Sequence, residues 1–180
     1  MKTDQTNQAV SELDILGENR IEPYTKTRPA SRAVIVRDGK ILLSLLTRTG
    51  LWMIPGGGQE AGETPEECCI REAEEETGLI VRPLSNFLII NEYYEEWRYR
   101  THYYACEVVG NGALHLTAAE QRESLTTEWL SLKDAIEIFS HHQEYAGRME
   151  TRRGLYLREY HALREYEKTL NERKNQKEPQ

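Results

Sequence analysis

Cysteine is scarce in this sequence, and long apolar runs are missing. The 180 residues include three cysteines, and their spacing matches none of the common metal-binding patterns. Reduced thiols are therefore expected. No apolar segment reaches the length of a membrane span, and the polar first residues lack the hydrophobic region of a signal peptide. We expect a cytoplasmic protein with no membrane partner.

Positive charge is also in deficit. The chain has 23 Lys and Arg residues against 30 Asp and Glu residues, which gives a formal net charge of -7. Because the sequence has no basic face and no DNA-binding segment, a nucleic acid polymer is not an expected partner. The length and a hydrophobic content of 38% suit one domain with a substantial core.

The most informative segment is residues 57–79, which reads GGQEAGETPEECCIREAEEETGL. Thr64 suits the N-cap of a helix, Pro65 suits the first helical position, and Glu67 completes a T-x-x-E capping box. Gly78 suits the left-handed residue that ends a helix, since it has no Cβ atom to clash there. A helix is therefore predicted to begin at Pro65 and to end just before Gly78.

Three glutamates of this helix, Glu72, Glu75 and Glu76, stand at i, i+3 and i+4 and project from one side of it. Their mutual repulsion destabilises an isolated helix, so a cation is expected to compensate. Carboxylate oxygens suit Mg2+ or Mn2+, which bind carboxylates together with substrate phosphates. An acidic, solvated helix face is the alternative. The glycine run 56–58, which lets the backbone approach a ligand, and Glu63 favour the metal site.

This pattern resembles the complete box of the Nudix hydrolases. The match runs from Gly57 through Glu63 to the segment REAEEETGL, which ends at Leu79. The upstream segments RPASRAVIVRDGKILLSLL and GLWMIPGGG are similar to the strands that lead into the box in that family, so the resemblance covers about residues 28–140.

The resemblance implies a fold and an activity. The fold is α/β, a Nudix-type α/β/α sandwich with a mixed β-sheet and the box loop-helix. The activity is hydrolysis of the pyrophosphate bond in a nucleoside diphosphate linked to another moiety, with Mg2+ as cofactor and Mn2+ as a substitute. Water would attack one phosphorus, and the metal would offset the repulsion between an acidic protein and an anionic substrate.

The resemblance also implies roles for residues of the box. The metal ligands of the family correspond to the carbonyl of Gly57 and the carboxylates of Glu72, Glu75 and Glu76. Arg71 corresponds to the arginine that orients the glutamates, by pairing with a box carboxylate such as Glu63. Either Glu75 or Glu76 is expected to act as general base, because crowding can raise the pKa of one carboxyl group in the cluster.

Candidate site residues outside the box rest on weaker sequence patterns. Family members often bring a further glutamate to the metals from a downstream loop, for which Glu120 or Glu123 is the candidate. An ordinary acidic surface loop is the alternative. Tyr94 and Trp97 are candidates for stacking on a base, and Arg48 completes the substrate-binding candidates. Packing in the core or on an edge strand is the commoner fate of such aromatic residues.

The chain divides into one domain, residues 23–170, and two polar ends. Residues 1–22 form a polar segment that suggests either a short helix or an arm on a partner subunit, and residues 171–180 are expected to be a frayed tail. Strands are expected at 33–36, 41–46, 51–54, 80–92, 99–109 and 127–130, and helices at 132–139 and about 153–168.

Three functional classes follow from these features. A pyrophosphohydrolase is favoured. A binding or regulatory module on the same fold, without turnover, is disfavoured by the intact glutamate triad. An isomerase of prenyl diphosphates would need a differently placed cysteine and acid pair. The substrate is left open, and a homodimer is expected on the general frequency of symmetric dimers.

Overall fold

The computed structural model describes residues 10–175 of the chain. The strands are β1 (Ser11–Leu16), β2 (Lys26–Arg37), β3 (Lys40–Leu46), β4 (Leu51–Met53), β5 (Gly56–Gly58), β6 (Leu79–Tyr94), β7 (Trp97–Asn111) and β8 (Leu125–Ser131). The α-helices are α1 (Pro65–Thr77), α2 (Ala118–Arg122), α3 (Leu132–Ser140) and α4 (Glu150–Asn175), and a 3-10 helix covers His141–Tyr145.

The strands form one mixed sheet. Its central order is β1-β6-β7-β2-β3-β4, while β5 pairs with β2 and β8 pairs with β3. Strand β1 runs parallel to β6 and β2 runs parallel to β7, whereas the other pairs are antiparallel. The mixed sheet predicted from the sequence is confirmed.

Helices cover both faces of this sheet. Along β2, Ala33 and Ile35 point into a cluster with Cys69 and Ala73 of α1. Val34, between them, points the other way, into a larger cluster with α3 and α4. This alternation follows from the two-residue period of a strand. The predicted α/β/α sandwich is therefore present, with α1 on one face and α3 and α4 on the other.

Most strands are longer than their apolar segments predicted, although β4 ends one residue earlier than expected, at Met53. Strand β2 was expected at 33–36 but begins at Lys26, because its polar first half pairs with β7 from Lys26 opposite Trp97 onward. Strands β6 and β7 form one long hairpin with three register shifts. Backbone pairing thus extends strands into polar sequence that carries no hydrophobic signal.

The two chain ends differ from expectation. The helix considered for residues 1–22 is wrong for the described part, since Ser11–Leu16 forms strand β1 on the sheet edge, with Ser11 opposite Leu88. Within it Ile15 is buried and Leu16 is exposed, as in a strand with one covered face. At the other end α4 continues to Asn175, so residues 171–175 are helical rather than frayed. The remaining parts of both predicted segments, 1–9 and 176–180, lie outside the described residues.

Helix α4 is long but carries many charged side chains. Its buried residues include Tyr156 and Leu163, two of the positions that predicted its inward stripe. No helix within residues 10–175 combines the length and apolar character needed to cross a membrane.

The end of α1 provides a test of the backbone conformation. Gly78 has φ 68°, and a Cβ atom there would lie 3.7 Å from its nearest neighbour, so only backbone strain opposes a larger residue. Gly78→Ala is expected to lower the free energy of unfolding by about 1 kcal/mol. Thermal unfolding should then shift down by about 2–4 °C in a protein of this size.

Gly110→Ala on β7 is the matched control. A Cβ atom there meets its nearest neighbour at 3.5 Å, an ordinary contact, and no positive φ is involved. Its melting temperature should stay close to that of the wild type. Equal losses in the two variants would contradict the assigned role of the left-handed residue.

Candidate active site

Helix α1 begins and ends where its local sequence predicts. The hydroxyl of Thr64 accepts a hydrogen bond from the Glu67 amide at 3.2 Å, and the Glu67 carboxylate accepts one from the Thr64 amide at 2.8 Å. Pro65 occupies the first position, and the amide of Gly78 donates to the carbonyl of Glu74 at 2.8 Å. These caps fix the residues at which the helix begins and ends.

Arg71 organises the outer half of the site. Its Nε and Nη2 donate to the two carboxylate oxygens of Glu63 at 2.8 and 3.0 Å. Its Nη1 donates to Glu72 at 2.9 Å and to Glu75 at 3.0 Å, while Nη2 also donates to the carbonyl of Gly58 at 3.0 Å. The pairing of Arg71 with Glu63 that the resemblance implied is thus present. One guanidinium holds three carboxylates and the glycine loop together.

The contacts of Arg71 also change the pKa values of the acids that it binds. Hydrogen bonds from Arg71 lower the pKa of Glu63, so Glu63 is ionised at neutral pH. Burial raises the pKa of Glu72, and the hydrogen bond from Arg71 opposes that shift. Arg71 therefore favours the ionised forms of both acids.

Glu76 lies apart from Arg71, on the inner side of the helix. It is 5% exposed, and its Oε2 accepts hydrogen bonds from the Gly56 amide and from the Ser44 hydroxyl, both at 3.2 Å. Burial raises its pKa to about 7, and the charges of Glu72 and Glu120 add to that shift. The sequence predicted that the three glutamates project from one side of the helix, and the sheet places one of them, Glu76, in a buried environment.

The glycine loop fits closely between these acids. A Cβ atom on Gly57 would lie 2.5 Å from a carboxylate oxygen of Glu72, and one on Gly56 would lie 2.2 Å from the carbonyl oxygen of Ser31. Gly56 also has φ 142°, which other residues rarely adopt. Only glycines allow this backbone to approach the Glu72 and Glu76 side chains.

The donor set is suited to a hard divalent cation. The carboxylates of Glu72, Glu75 and Glu76 and the backbone at Gly57 provide oxygens, which are the ligands that Mg2+ and Mn2+ prefer. Within residues 10–175, no three His, Cys, Asp or Glu side chains are gathered tightly enough to form a ready-made metal cage.

The outer face of the site opens onto a broad groove of about 730 Å³. Its lining includes Glu63, Arg71, Glu75 and His115. The side chain of Glu75 is 40% exposed there, in contrast to the buried Glu76. The groove therefore gives solvent and ligands access to the carboxylates of Glu63 and Glu75.

The structure separates the two candidates for an additional metal ligand. Glu120 accepts a hydrogen bond from the Thr117 amide at 2.7 Å in a capping box of α2, and its charge acts on Glu76. Glu123 ends α2, and its carbonyl accepts a bond from the Arg48 amide at 3.4 Å. Glu120 is therefore the better placed of the two.

The substrate-binding candidates are not brought together. Tyr94 packs against α4, where a Cβ atom on Gly154 would lie 2.0 Å from its hydroxyl, and it lines a pocket of about 250 Å³ with Tyr99. Trp97 stacks on Tyr99 at 5.8 Å between ring centroids. Tyr94 thus lies on the face opposite α1. Arg48 is exposed in the turn after β3.

Two residues near the box were missed by the sequence analysis. Ser44 lies in the apolar strand ILLSLL and binds Glu76, and Arg32 begins the apolar segment RAVIV with a side chain only 11% exposed. Each is a polar residue within or beside an apolar strand. That pattern is the signal that could have identified them.

The raised pKa of Glu76 predicts a pH effect on stability. The folded protein holds this proton more tightly than the unfolded chain, so the contribution of Glu76 to the free energy of unfolding falls as the pH rises from about 4.5 to about 7. Gln at this position cannot ionise and keeps an oxygen acceptor for Gly56. In the presence of a chelator, Glu76→Gln should exceed the wild type in stability at about pH 8, by up to about 3 kcal/mol, and match it at about pH 4.

Urea unfolding at the two pH values measures this difference. Glu128→Gln, which changes an exposed carboxylate on β8, is the control and should show no such pH-dependent gain. A Glu76→Gln protein that is no more stable than the wild type at the higher pH would contradict the assigned burial cost.

Two curated relatives match parts of the chain. The NAD-capped RNA hydrolase NudC of Photobacterium profundum is 38% identical over 66 residues, which are 36% of this chain and 25% of that protein. The Homo sapiens diphosphoinositol polyphosphate phosphohydrolase NUDT4B is 28% identical over 109 residues, 59% of this chain and 57% of that protein. The chain thus spans less than two thirds of the length of either relative.

The fold and a family model extend this likeness beyond the box. A solved NUDIX hydrolase from Nitrosomonas europaea has a TM-score of 0.51 at 23% identity, covering 76% of this chain and 90% of the other, which shows the same fold. The model of the NUDIX domain matches residues 26–151, more than half of the chain and the whole of the loop and helix described above. On that match, the chain belongs to the Nudix hydrolase family.

Proposed function

We propose that the protein is a Mg2+-dependent pyrophosphohydrolase that cleaves the diphosphate bond of a nucleoside diphosphate linked to another moiety, with Mn2+ as a substitute metal. The observation that carries this proposal is the set of four carboxylates, Glu63, Glu72, Glu75 and Glu76, gathered with Arg71 against a glycine loop. A cluster of acids this dense has no evident structural benefit, because like charges repel.

The residues have distinct tasks in this proposal. The carboxylates of Glu72, Glu75 and Glu76, the carbonyl of Gly57 and, from α2, Glu120 would hold the cation. When bound, it would polarise the phosphoryl oxygens, lower the pKa of a bound water and offset the charge of the leaving phosphate. Arg71 orients Glu72 and Glu75 through two hydrogen bonds from one nitrogen, while its pairing with Glu63 fixes the guanidinium itself.

The general base is either Glu75 or Glu76. Glu76 is buried and has its pKa raised to about 7, which suits a base at neutral pH. Glu75 is 40% exposed beside the groove, where an attacking water and a substrate can reach it. A bound cation would lower the pKa of any carboxylate it touches, so the two candidates must be separated by experiment.

The nature of the second moiety is a further open point of the proposal. The two curated relatives are named for an NAD-capped RNA and for diphosphoinositol polyphosphates. The acidic surface of this chain, with a net charge of -7, favours a small nucleotide derivative over a nucleic acid polymer. A cytoplasmic location and a homodimer remain predictions.

A substrate panel tests the proposal. Purified protein is incubated with Mg2+ or Mn2+ and nucleoside triphosphates, nucleotide sugars, ADP-ribose, NADH, diadenosine polyphosphates, an NAD-capped oligonucleotide and a diphosphoinositol polyphosphate, and the products are separated by chromatography. Glu72→Gln should lower kcat/KM about 100-fold on the cleaved class, because it removes a negative charge from the proposed metal ligands and weakens the pairing with Arg71.

Glu66→Gln is the matched control on the same helix. Glu66 is exposed in the first turn of α1, and it is not one of the residues that line the groove. This variant should keep kcat/KM near the wild-type value. Silence across the panel with both metals, or equal losses in the two variants, would contradict the proposed function.

The base assignment has its own test. If Glu75 is the base, Glu75→Gln should reduce kcat by about 100-fold at saturating Mg2+, since a positioned base contributes on that order. Turnover is measured over a range of Mg2+ concentrations, so that weaker metal binding is separated from slower chemistry. Near wild-type kcat at saturating metal would remove Glu75 from this role and leave Glu76.

A further inference from the structure

Helix α4 carries a buried carboxylate on the face of the sheet opposite α1. Glu159 is fully buried, and it lies outside residues 26–151, the part matched by the family model. It accepts hydrogen bonds from the Tyr103 hydroxyl at 3.0 Å and from Arg158 at 2.9 Å, and it lies 3.4 Å from Nε of Arg32. A carboxylate removed from water needs such partners because its desolvation is costly. Glu159 thereby ties α4 to β2 at Arg32.

Arg32 in turn contacts the glycine loop. Its Nη1 donates to the carbonyl of Ile54, just before the loop. Its backbone is paired with Gly56, where a Cβ atom would lie 2.7 Å from Cα of Arg32. The amide of Gly56 donates to Glu76 at 3.2 Å. A chain of contacts therefore runs from Glu159 through Arg32 and the loop to Glu76.

The charge of Arg32 reaches the box as well. Burial raises the pKa values of Glu72 and Glu76, and the positive charge of Arg32 opposes the shift in both. Arg32 thus supplies positive charge on the sheet side of the glutamate cluster, as Arg71 does on the groove side.

Glu92 and Arg158 form a neighbouring ion pair that also holds α4 on the sheet. Glu92 of β6 is also buried and binds the same Arg158 at 2.9 Å. Both carboxylates hold α4 on the sheet through Arg158, but the ion pair to Arg32 is made by Glu159. The two positions therefore differ in their connection to the loop and not in their burial.

We propose that Glu159 is a positioning residue for the candidate active site: by holding Arg32, it fixes the glycine loop against Glu76. The inference rests on the proposed function, because the site that Glu159 would position is the one assigned there to turnover. It also makes α4, beyond the part matched by the family model, a component of the catalytic unit.

The test compares Glu159→Gln with Glu92→Gln. Glutamine keeps the shape and the acceptor for Tyr103 but loses the charge that faces Arg32. Glu159→Gln should lower kcat about tenfold while KM changes by less than about threefold. The amide signals of Gly56 and Gly57 in a 15N-labelled protein should also shift. Glu92→Gln should leave kcat and these two signals close to wild type, with a similar loss of melting temperature.

A double variant adds a measurement that does not depend on overall stability. If Glu159 acts through Arg32, Glu159→Gln combined with Arg32→Gln should lose no more kcat than Arg32→Gln alone. Additive losses would contradict the proposal. So would a Glu159→Gln protein with wild-type kcat, or equal losses of kcat in Glu159→Gln and Glu92→Gln.

Two further results would still decide the proposal. If Glu159→Gln fails to fold, Arg32→Lys serves instead, since it keeps a positive charge beside Glu159 but lacks the second arm that reaches Ile54. It should lower kcat about tenfold, and full activity would overturn the proposal. If the wild type cleaves no member of the panel, the proposed function fails, and the glycine signals still decide the positioning role: a shift in Glu159→Gln alone supports it, and no shift overturns it.

Discussion

The contact between the Glu76 carboxylate and the Gly56 amide constrains most of the structure around it. The carboxylate is 5% exposed, so it needs hydrogen-bond donors inside the protein, and the Gly56 amide and Ser44 hydroxyl supply them. Gly56 reaches that position only by pairing with β2 so closely that a Cβ atom would lie 2.2 Å from the Ser31 carbonyl oxygen. Helix α1 must also lie close to the sheet, which its small buried residues Cys69 and Ala73 permit.

Charge compensation explains the arrangement of the arginines. Arg71 binds the acids on the groove side, and Arg32 lies on the sheet side and connects to Glu159. With a net charge of -7, the rest of the protein would repel the anionic substrate proposed above, which makes these local cations more important. Burying Glu76 lowers the stability of the folded protein, and in return an ionisable group is kept next to the glycine loop.

The parts of the fold that local sequence specifies were predictable. Thr64, Glu67 and Gly78 set the ends of α1 by short-range hydrogen bonds and by a left-handed residue, and these bonds are present. Strand β1 was missed because its pairing with β6 joins residues far apart in sequence, and its few apolar residues gave no clear period.

The residues of the site could be predicted from the sequence, but their arrangement in space could be predicted only in part. Helical spacing placed three glutamates on one side of α1, but which of them is buried depends on how the sheet meets the helix. Glu76 is buried against Gly56, whereas Glu75 faces the groove. Arg32 and Glu159 lie on β2 and α4, and their contact exists only once the tertiary fold has formed.

Anomalous diffraction from a crystal grown with Mn2+ and methylene diphosphonate, a diphosphate that cannot be hydrolysed, tests the central claim most directly. The account predicts a manganese peak about 2.2 Å from carboxylate oxygens of Glu72 and Glu76 and from the Gly57 carbonyl, with the diphosphonate completing its coordination. A well-ordered diphosphonate with manganese bound only elsewhere, and none at these oxygens, would contradict it.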